Sequence, residues 1–309
     1  MPGLTIAGLR LEVHAPGLRP VQAAQPVYAA FIGACASPDA PADIRVDVVS
    51  GPAPAGLVGG PGERLVFDTG VSWSLYRRDD GYRISFRLAG ETEEYLHALS
   101  DAATTSVRVF ADAAPLSRAA GRDVWLADPV CYPLDQLLLM NHLAQRGGVV
   151  VHSCALSLGD AGFVCCGASG AGKTTLARAL MAAGLEEAVL SDDRAIVRVD
   201  AGGAVAWGTP WPGDAGIARN SGAPLAALLF LTQAPPGAGT SALTQISAGD
   251  AFKRLLPVVS CPWYDEEGMA GVFATCERLV SEHPCYDFAF RPDESAARAL
   301  RDLAAGAAG

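Results

Sequence analysis

One segment restricts the folds open to this chain more than any other. Gly167-Ala-Ser-Gly-Ala-Gly-Lys-Thr174 fits GxxxxGK[ST], and it stands between an apolar run, 162–166, and a stretch of helix formers, 173–183. The pattern predicts a strand, a tight turn, and a helix whose first amides face the turn. Glycines let successive backbone N–H groups point inward around a polyphosphate, where side chains would block them. The helix N-terminus adds partial positive charge to that cradle. Gly167, Ser169, Gly170, Ala171, Gly172, Lys173, Thr174 and Thr175 are therefore the candidate phosphate-binding residues. Lys173 would reach the β- and γ-phosphates of ATP, and the Thr174 hydroxyl would bind Mg²⁺. Composition sharpens the match. Lys173 and Lys253 are the only lysines among 23 Lys and Arg residues, so a chance lysine at this position is rare.

Two further features bear on chemistry. Asp192-Asp193 follows a short apolar run, 188–190, and lies 19 and 20 residues after Lys173. One carboxylate beside a phosphate loop can hold Mg²⁺, and a second can take a proton from a hydroxyl attacking the γ-phosphate. The competing reading is an exposed Asp-Asp turn. His152 lies 15 residues before Gly167 on the preceding apolar run. Taken alone it reads as a structural histidine.

At 309 residues the chain can form one large or two ordinary domains. Residues 1–128 read as a β-rich module for substrate or partner presentation, with strands at 4–13, 43–49 and 106–110 and a helix at 20–32. A Gly/Pro-rich loop covers 51–63. Val71-Ser-Trp-Ser-Leu75 and Tyr82-Arg-Ile-Ser-Phe-Arg-Leu88 alternate with period two around Asp79-Asp80-Gly81, which predicts a hairpin. Residues 129–309 read as an α/β catalytic domain. Helices are predicted at 133–146, 173–183 and 248–256, with an apolar helical face at 271–282. Strands are predicted at 149–158, 162–166, 195–199, 205–207 and 225–231, and 304–309 reads as a fraying tail. Strands alternating with helices imply helices packed on a mostly parallel or mixed sheet.

Charge and cysteine usage exclude other classes. A net charge of −10 with no basic run argues against nucleic acid. No apolar run approaches a membrane span, and no secretory leader is readable, so a cytoplasmic protein with no membrane partner is expected. Eight cysteines without a CxxC spacing fit a reduced compartment. Adjacent Cys165 and Cys166 read as small core residues of a buried strand.

His152-Ser-Cys-Ala155, Cys166-Gly-Ala-Ser-Gly-Ala-Gly-Lys-Thr-Thr-Leu176 and Val189-Leu-Ser-Asp-Asp-Arg194 together resemble the catalytic core of HPr kinase/phosphorylase-like proteins, relatives of the phosphoenolpyruvate carboxykinases. The likeness is strong over 148–200, weaker toward the end, and absent from the first half. It is nearest to divergent HPr-kinase-related proteins found with peptide-modification genes, such as lasso-peptide tailoring kinases. The resemblance implies a P-loop core of the HPr kinase/PEP carboxykinase type with a mixed sheet, ATP and Mg²⁺ as cofactors, and a homo-oligomer. It implies an acceptor serine on a protein or peptide, with Asp192 as general base, His152 tuning it, Lys173 on the phosphates, and Thr174 and Asp193 at the metal. Thr175 stands where the bifunctional members tend to carry an acidic residue.

Trp207-Gly-Thr-Pro-Trp-Pro212 offers two indoles that would wall the site or simply pack in a loop, and Arg219 would steady transferring charge. Lys253 and Arg254 open a helix that would touch phosphate or lie solvated. Two other readings stand beside the kinase. One is a carboxykinase-like metal enzyme with a divalent ion on His152 and Asp193. The other is a non-catalytic nucleotide-binding module of a peptide-maturation complex.

Overall fold

A computed structural model of the chain describes residues 3–16, 25–33, 41–124, 129–234, 237 and 239–307. The fold is mixed α/β, with two mixed sheets and helices. Two compact units, Met1–His142 and Leu143–Gly309, divide it. The boundary expected at 128/129 adjoins residues 125–128, which lie outside the described residues, as do 20–24 of the helix expected at 20–32. The rest of that helix is a 3-10 turn, Pro26–Phe31. No helix among the described residues is long and apolar enough to cross a membrane.

The first unit is built on eight described strands: β1 (Leu4–Ile6), β2 (Leu9–His14), β3 (Ile44–Ser50), β4 (Arg64–Asp68), β5 (Trp73–Arg78), β6 (Gly81–Arg87), β7 (Glu94–Asp101) and β8 (Ser106–Ala111). They run in the order β1-β2-β3-β8-β7-β6-β5-β4. β3 lies parallel to β2 and β8, and the other pairings are antiparallel. The predicted hairpin is present as β5 and β6, with Arg78 opposite Gly81. β6 is buried on both faces: Tyr82, Ile84 and Phe86 supply the apolar side, while Arg83 and Ser85 fill the other. Arg83 offsets the cost of that burial by gripping Glu63 through two bonds of 2.8 Å and Glu94 at 3.1 Å. Helix α1 (Ala114–Ala120) follows β8, and α2 (Leu134–Ala144) ends the unit. The division falls inside α2, whose start is tied to the first unit where the Tyr28 hydroxyl donates to Asp135 at 2.6 Å. Burial pushes the Tyr28 phenol well above its ordinary value, and the Asp135 charge adds to this, so it serves as a donor. The predicted apolar stripe of α2 is wider than expected, since every residue except Gln136 is buried.

In the second unit the predicted strand pair 149–158 and 162–166 is β9 (Gly148–Leu158) and β10 (Ala161–Cys166). The chain continues through α3 (Lys173–Ala182), β11 (Val189–Ser191), β12 (Arg194–Asp200), β13 (Gly203–Trp207), β14 (Gly222–Gln233) and β15 (Ala242–Gln245). Next come α4 (Ala248–Leu255), β16 (Val259–Ser260), α5 (Glu266–Glu282), β17 (Cys285–Phe290) and α6 (Glu294–Ala307). The strand order is β10-β9-β12-β13-β14-β17-β15, with β11 and β16 added on β9. Because β10 also pairs with β14, strands β10, β9, β12, β13 and β14 close a ring. β10, β14 and β17 are mutually parallel. β10 and residues 227–231 of β14 are buried on both faces, which explains their unbroken apolar sequences, while β17 leaves Tyr286, Asp287 and Ala289 half-buried. Phe163, Cys165, Leu229 and Phe288 pack with Leu176 and Leu180 of α3 and Leu300 of α6. Val164, Cys166, Leu228 and Cys285 pack with Leu255 of α4 and Val272 and Leu279 of α5. Cys165 and Cys166 thus serve opposite cores as small apolar residues. The tail expected to fray at 304–309 is instead α6 up to Ala307, anchored by Ala296, Ala297 and Leu300; residues 308–309 lie outside the described residues.

The β5–β6 turn carries the clearest backbone constraint in the first unit. Gly81 has φ +149°, and a Cβ there would run into the Ser100 carbonyl of β7. Gly81→Ala should destabilise the chain by about 2–4 kcal/mol, read as a lowered urea midpoint. An unchanged midpoint would show that the sheet can yield at this crossing.

Candidate functional site

β10 delivers the glycine-rich loop to the carboxyl end of the parallel strands, and α3 leaves it. Gly172 caps α3 with φ +103°. The Phe290 ring, at the end of β17, lies 2.7 Å from where a Gly172 Cβ would stand, so the loop closes tightly against that strand. Gly167 is buried, and its absent Cβ leaves room for the Ala171 methyl, which packs toward the core. Ser169, Gly170, Gly172, Lys173, Thr174 and Thr175 line a cleft of about 360 Å³. His152, Asp193, Gly213 and Asp214 form its other walls. The predicted loop residues, His152 and Asp193 therefore meet, although 41 residues separate the last two in the chain.

Lys173 is only 6 % exposed, and its Nζ donates to the carbonyls of Gly167 at 2.9 Å and Ala168 at 3.1 Å. Burial pulls its pKa down, and the Asp193 charge works against that. An anion in the cleft would attract that ammonium more strongly than the carbonyls of its own loop do.

Asp193 is fixed from both sides. β12 pairs with β9 so that Arg194 stands opposite His152, which brings the imidazole alongside Asp193. A carboxylate only accepts, so His152 Nε2–H donates to Oδ1 at 2.8 Å. Arg194 pairs with Oδ2 at 3.0 Å. The His152 bond is the chief reason the Asp193 pKa falls below its ordinary value; burial opposes this, and Arg194 adds to the lowering. Asp193 and the Thr174 hydroxyl both line the cleft, so they could ligate a nucleotide-bound Mg²⁺. Among the described residues no three His, Cys, Asp or Glu side chains converge on one point. A nucleotide-bound magnesium needs only one or two protein oxygens.

Asp192 requires correction. The resemblance implies that Asp192 is the general base, but its side chain does not line the cleft and is fully buried. Asp192 Oδ1 accepts from Gly213 N at 3.0 Å and Ile217 N at 3.1 Å, and Oδ2 from Ala215 N at 2.8 Å. The chain bends at Asp192 and Asp193 between β11 and β12, and the two side chains leave the bend on different sides. One aspartate therefore faces the cleft while the other clasps the loop 213–217 that forms its far wall. That clasp is invisible in the sequence, because its partners are backbone amides 21 to 25 residues away. Gly213 and Asp214 were likewise unassigned wall residues; Arg178 of α3 donates to the Asp214 carbonyl at 3.1 Å.

The remaining candidates lie elsewhere. Trp211 is 2 % exposed and packed, and neither Trp207 nor Trp211 lines the cleft. Arg219 donates to the carbonyls of Val189 and Glu186 and pairs with Glu187, so it braces the approach to β11 instead of steadying transferring charge. Lys253 is exposed and paired with Asp250, while Arg254 pairs with Asp287. No protein-family model and no curated protein matches the chain.

Two outcomes follow from this geometry. Asp192→Ala leaves three amides without an acceptor and should cost about 3 kcal/mol, with faster hydrogen exchange at Gly213, Ala215 and Ile217. Exchange that is unaltered there would remove the clasp. Because the folded Asp193 pKa is depressed, its stabilising contribution is complete above the ordinary carboxylate range and is lost as pH falls through the folded value. His152→Ala removes the largest lowering cause, so the loss of urea stability on acidification below about pH 4 should set in and finish at higher pH. A loss that stays in place would mean the imidazole does not govern that carboxylate.

Proposed function

We propose that this protein is an ATP-dependent phosphotransferase that moves the γ-phosphate to a serine-type hydroxyl, with the P-loop core of an HPr kinase-like enzyme and Asp193 as the acceptor-side carboxylate. The observation carrying this reading is the meeting of Asp193 with the glycine-rich loop across one cleft. Loop amides and Lys173 hold the phosphates, and the start of α3 adds its positive end. Mg²⁺ held through the Thr174 hydroxyl would draw charge from the phosphate oxygens, which leaves the Asp193 carboxylate to the acceptor. Asp193 orients the attacking hydroxyl and receives its proton. His152 and Arg194 keep its carboxylate ionised and aimed. Its lowered pKa suits a loose transition state, in which the hydroxyl is held in line and its proton leaves late. Asp192, the base implied by the resemblance, instead positions the far wall. A protein or peptide serine, such as one on a ribosomal precursor peptide, is the acceptor class in this reading.

The test uses γ-labelled ATP, Mg²⁺ and serine-containing peptides encoded beside the gene, followed by mass mapping. Asp193→Asn should lower transfer by about 10²–10⁴-fold while nucleotide affinity changes little. If the wild type binds ATP and labels no hydroxyl, the phosphotransfer reading is wrong and the chain is a nucleotide-binding module.

A further inference from the structure

Among the ionisable residues that line the cleft, Asp214 differs from the others in its bonding. Lys173 rests on carbonyls of its own loop, and Asp193 is matched by His152 and Arg194. Asp214 is exposed, and its carboxylate takes no hydrogen bond or ion pair among the described residues. Its backbone, by contrast, is held from every side. Gly213 N and Ala215 N donate to Asp192, and Arg178 donates to the Asp214 carbonyl at 3.1 Å. Gly216 N closes the turn on the Gly213 carbonyl at 3.0 Å. Gly213 also packs so tightly on the aspartate pair that a Cβ there would stand 3.0 Å from the Asp193 Cβ. A pinned turn thus places one unneutralised carboxylate next to the Asp193 contact, in the cleft that the glycine-rich loop lines.

We propose that Asp214 is the carboxylate that holds the Mg²⁺ of the bound nucleotide, which makes nucleotide binding depend on the metal. The inference rests on the phosphotransfer reading and deepens it. An unpaired carboxylate repels a polyanion that enters the same cleft, and a divalent cation between the two turns that repulsion into a bridge. The donor set suits magnesium: the Asp214 carboxylate, the Thr174 hydroxyl, phosphate oxygens and retained waters are all hard oxygen ligands. Asp193 is less suited, because His152 and Arg194 already engage one of its oxygens each. With the metal on Asp214, the Asp193 carboxylate stays with the acceptor hydroxyl.

The test is titration calorimetry of ATP into the full chain, once with Mg²⁺ and once with EDTA. Wild type should prefer the magnesium form by at least about tenfold. In Asp214→Asn, ATP with Mg²⁺ should bind about tenfold more weakly and metal-free ATP more tightly, so the preference collapses. A merely structural aspartate would weaken both forms alike. Asp214→Glu should recover the preference and Asp193→Asn should keep it, and the Asp214 variants should melt as wild type does. Asp214→Asn with the wild-type preference, or a preference lost in Asp193→Asn instead, overturns the proposal. So does a defect of Asp214→Asn confined to the KM of a basic acceptor peptide, since Asp214 then reads the acceptor. A wild type that binds ATP in neither buffer defeats the phosphotransfer reading and this inference with it, whereas the preceding outcomes defeat the inference alone.

Discussion

β10 has no polar face. Phe163 and Cys165 press against the α3 and α6 side while Val164 and Cys166 press against the α4 and α5 side, and parallel pairing joins the strand to β14. A strand held on both faces and along both edges cannot shift without opening two cores at once. The glycine-rich loop inherits that fixed position from the strand it follows. Phe290, carried by β17, then limits how α3 can start by filling the space beside Gly172. The cradle is thus as rigid as the sheet beneath it, although its own residues contribute little to any core.

The cleft built on this platform divides its charges by depth. Lys173 sits deepest, on carbonyls of its own loop, and Asp193 faces it from β12's entry with His152 and Arg194 on its two oxygens. Each partner biases the other toward its charged form: Asp193 resists the effect of burial on Lys173, and Lys173 adds to the lowering of Asp193. The far wall is held by different means. Three amides of 213–217 converge on Asp192, so a turn of Gly, Asp and Ala keeps a single shape beside the glycine-rich loop. Two adjacent aspartates therefore do separate work, one in the solvent-facing cleft and one beneath it.

Local patterns were readable where the physics is local. The β5–β6 hairpin follows from period-two alternation around a glycine turn, and the β10–loop–α3 unit from an apolar run, glycines and a helix-forming segment. α6 was not readable, because an Ala-rich end resembles a tail until Ala296, Ala297 and Leu300 find the core that orders them. β17 was missed as well: its partner β14 precedes it by more than fifty residues, and only that parallel pairing gives Phe288 and Phe290 a face to fill. At the site, the loop residues were found from spacing, and His152 only through the family resemblance. Asp192 and Asp193 were both placed beside the loop, since spacing cannot tell which of two neighbours turns inward.

By itself the sequence determined that a tight glycine-rich turn would stand between a buried strand and a helix, because glycine placement and apolar runs act within a few residues. Only the tertiary structure decided which carboxylate shares the cleft with that turn and which one holds the opposite wall. That choice depends on β12 pairing with β9 and on amides of a distant loop arriving at Asp192. Hydrogen bonds between segments far apart in the chain leave no mark on the order of the residues that make them.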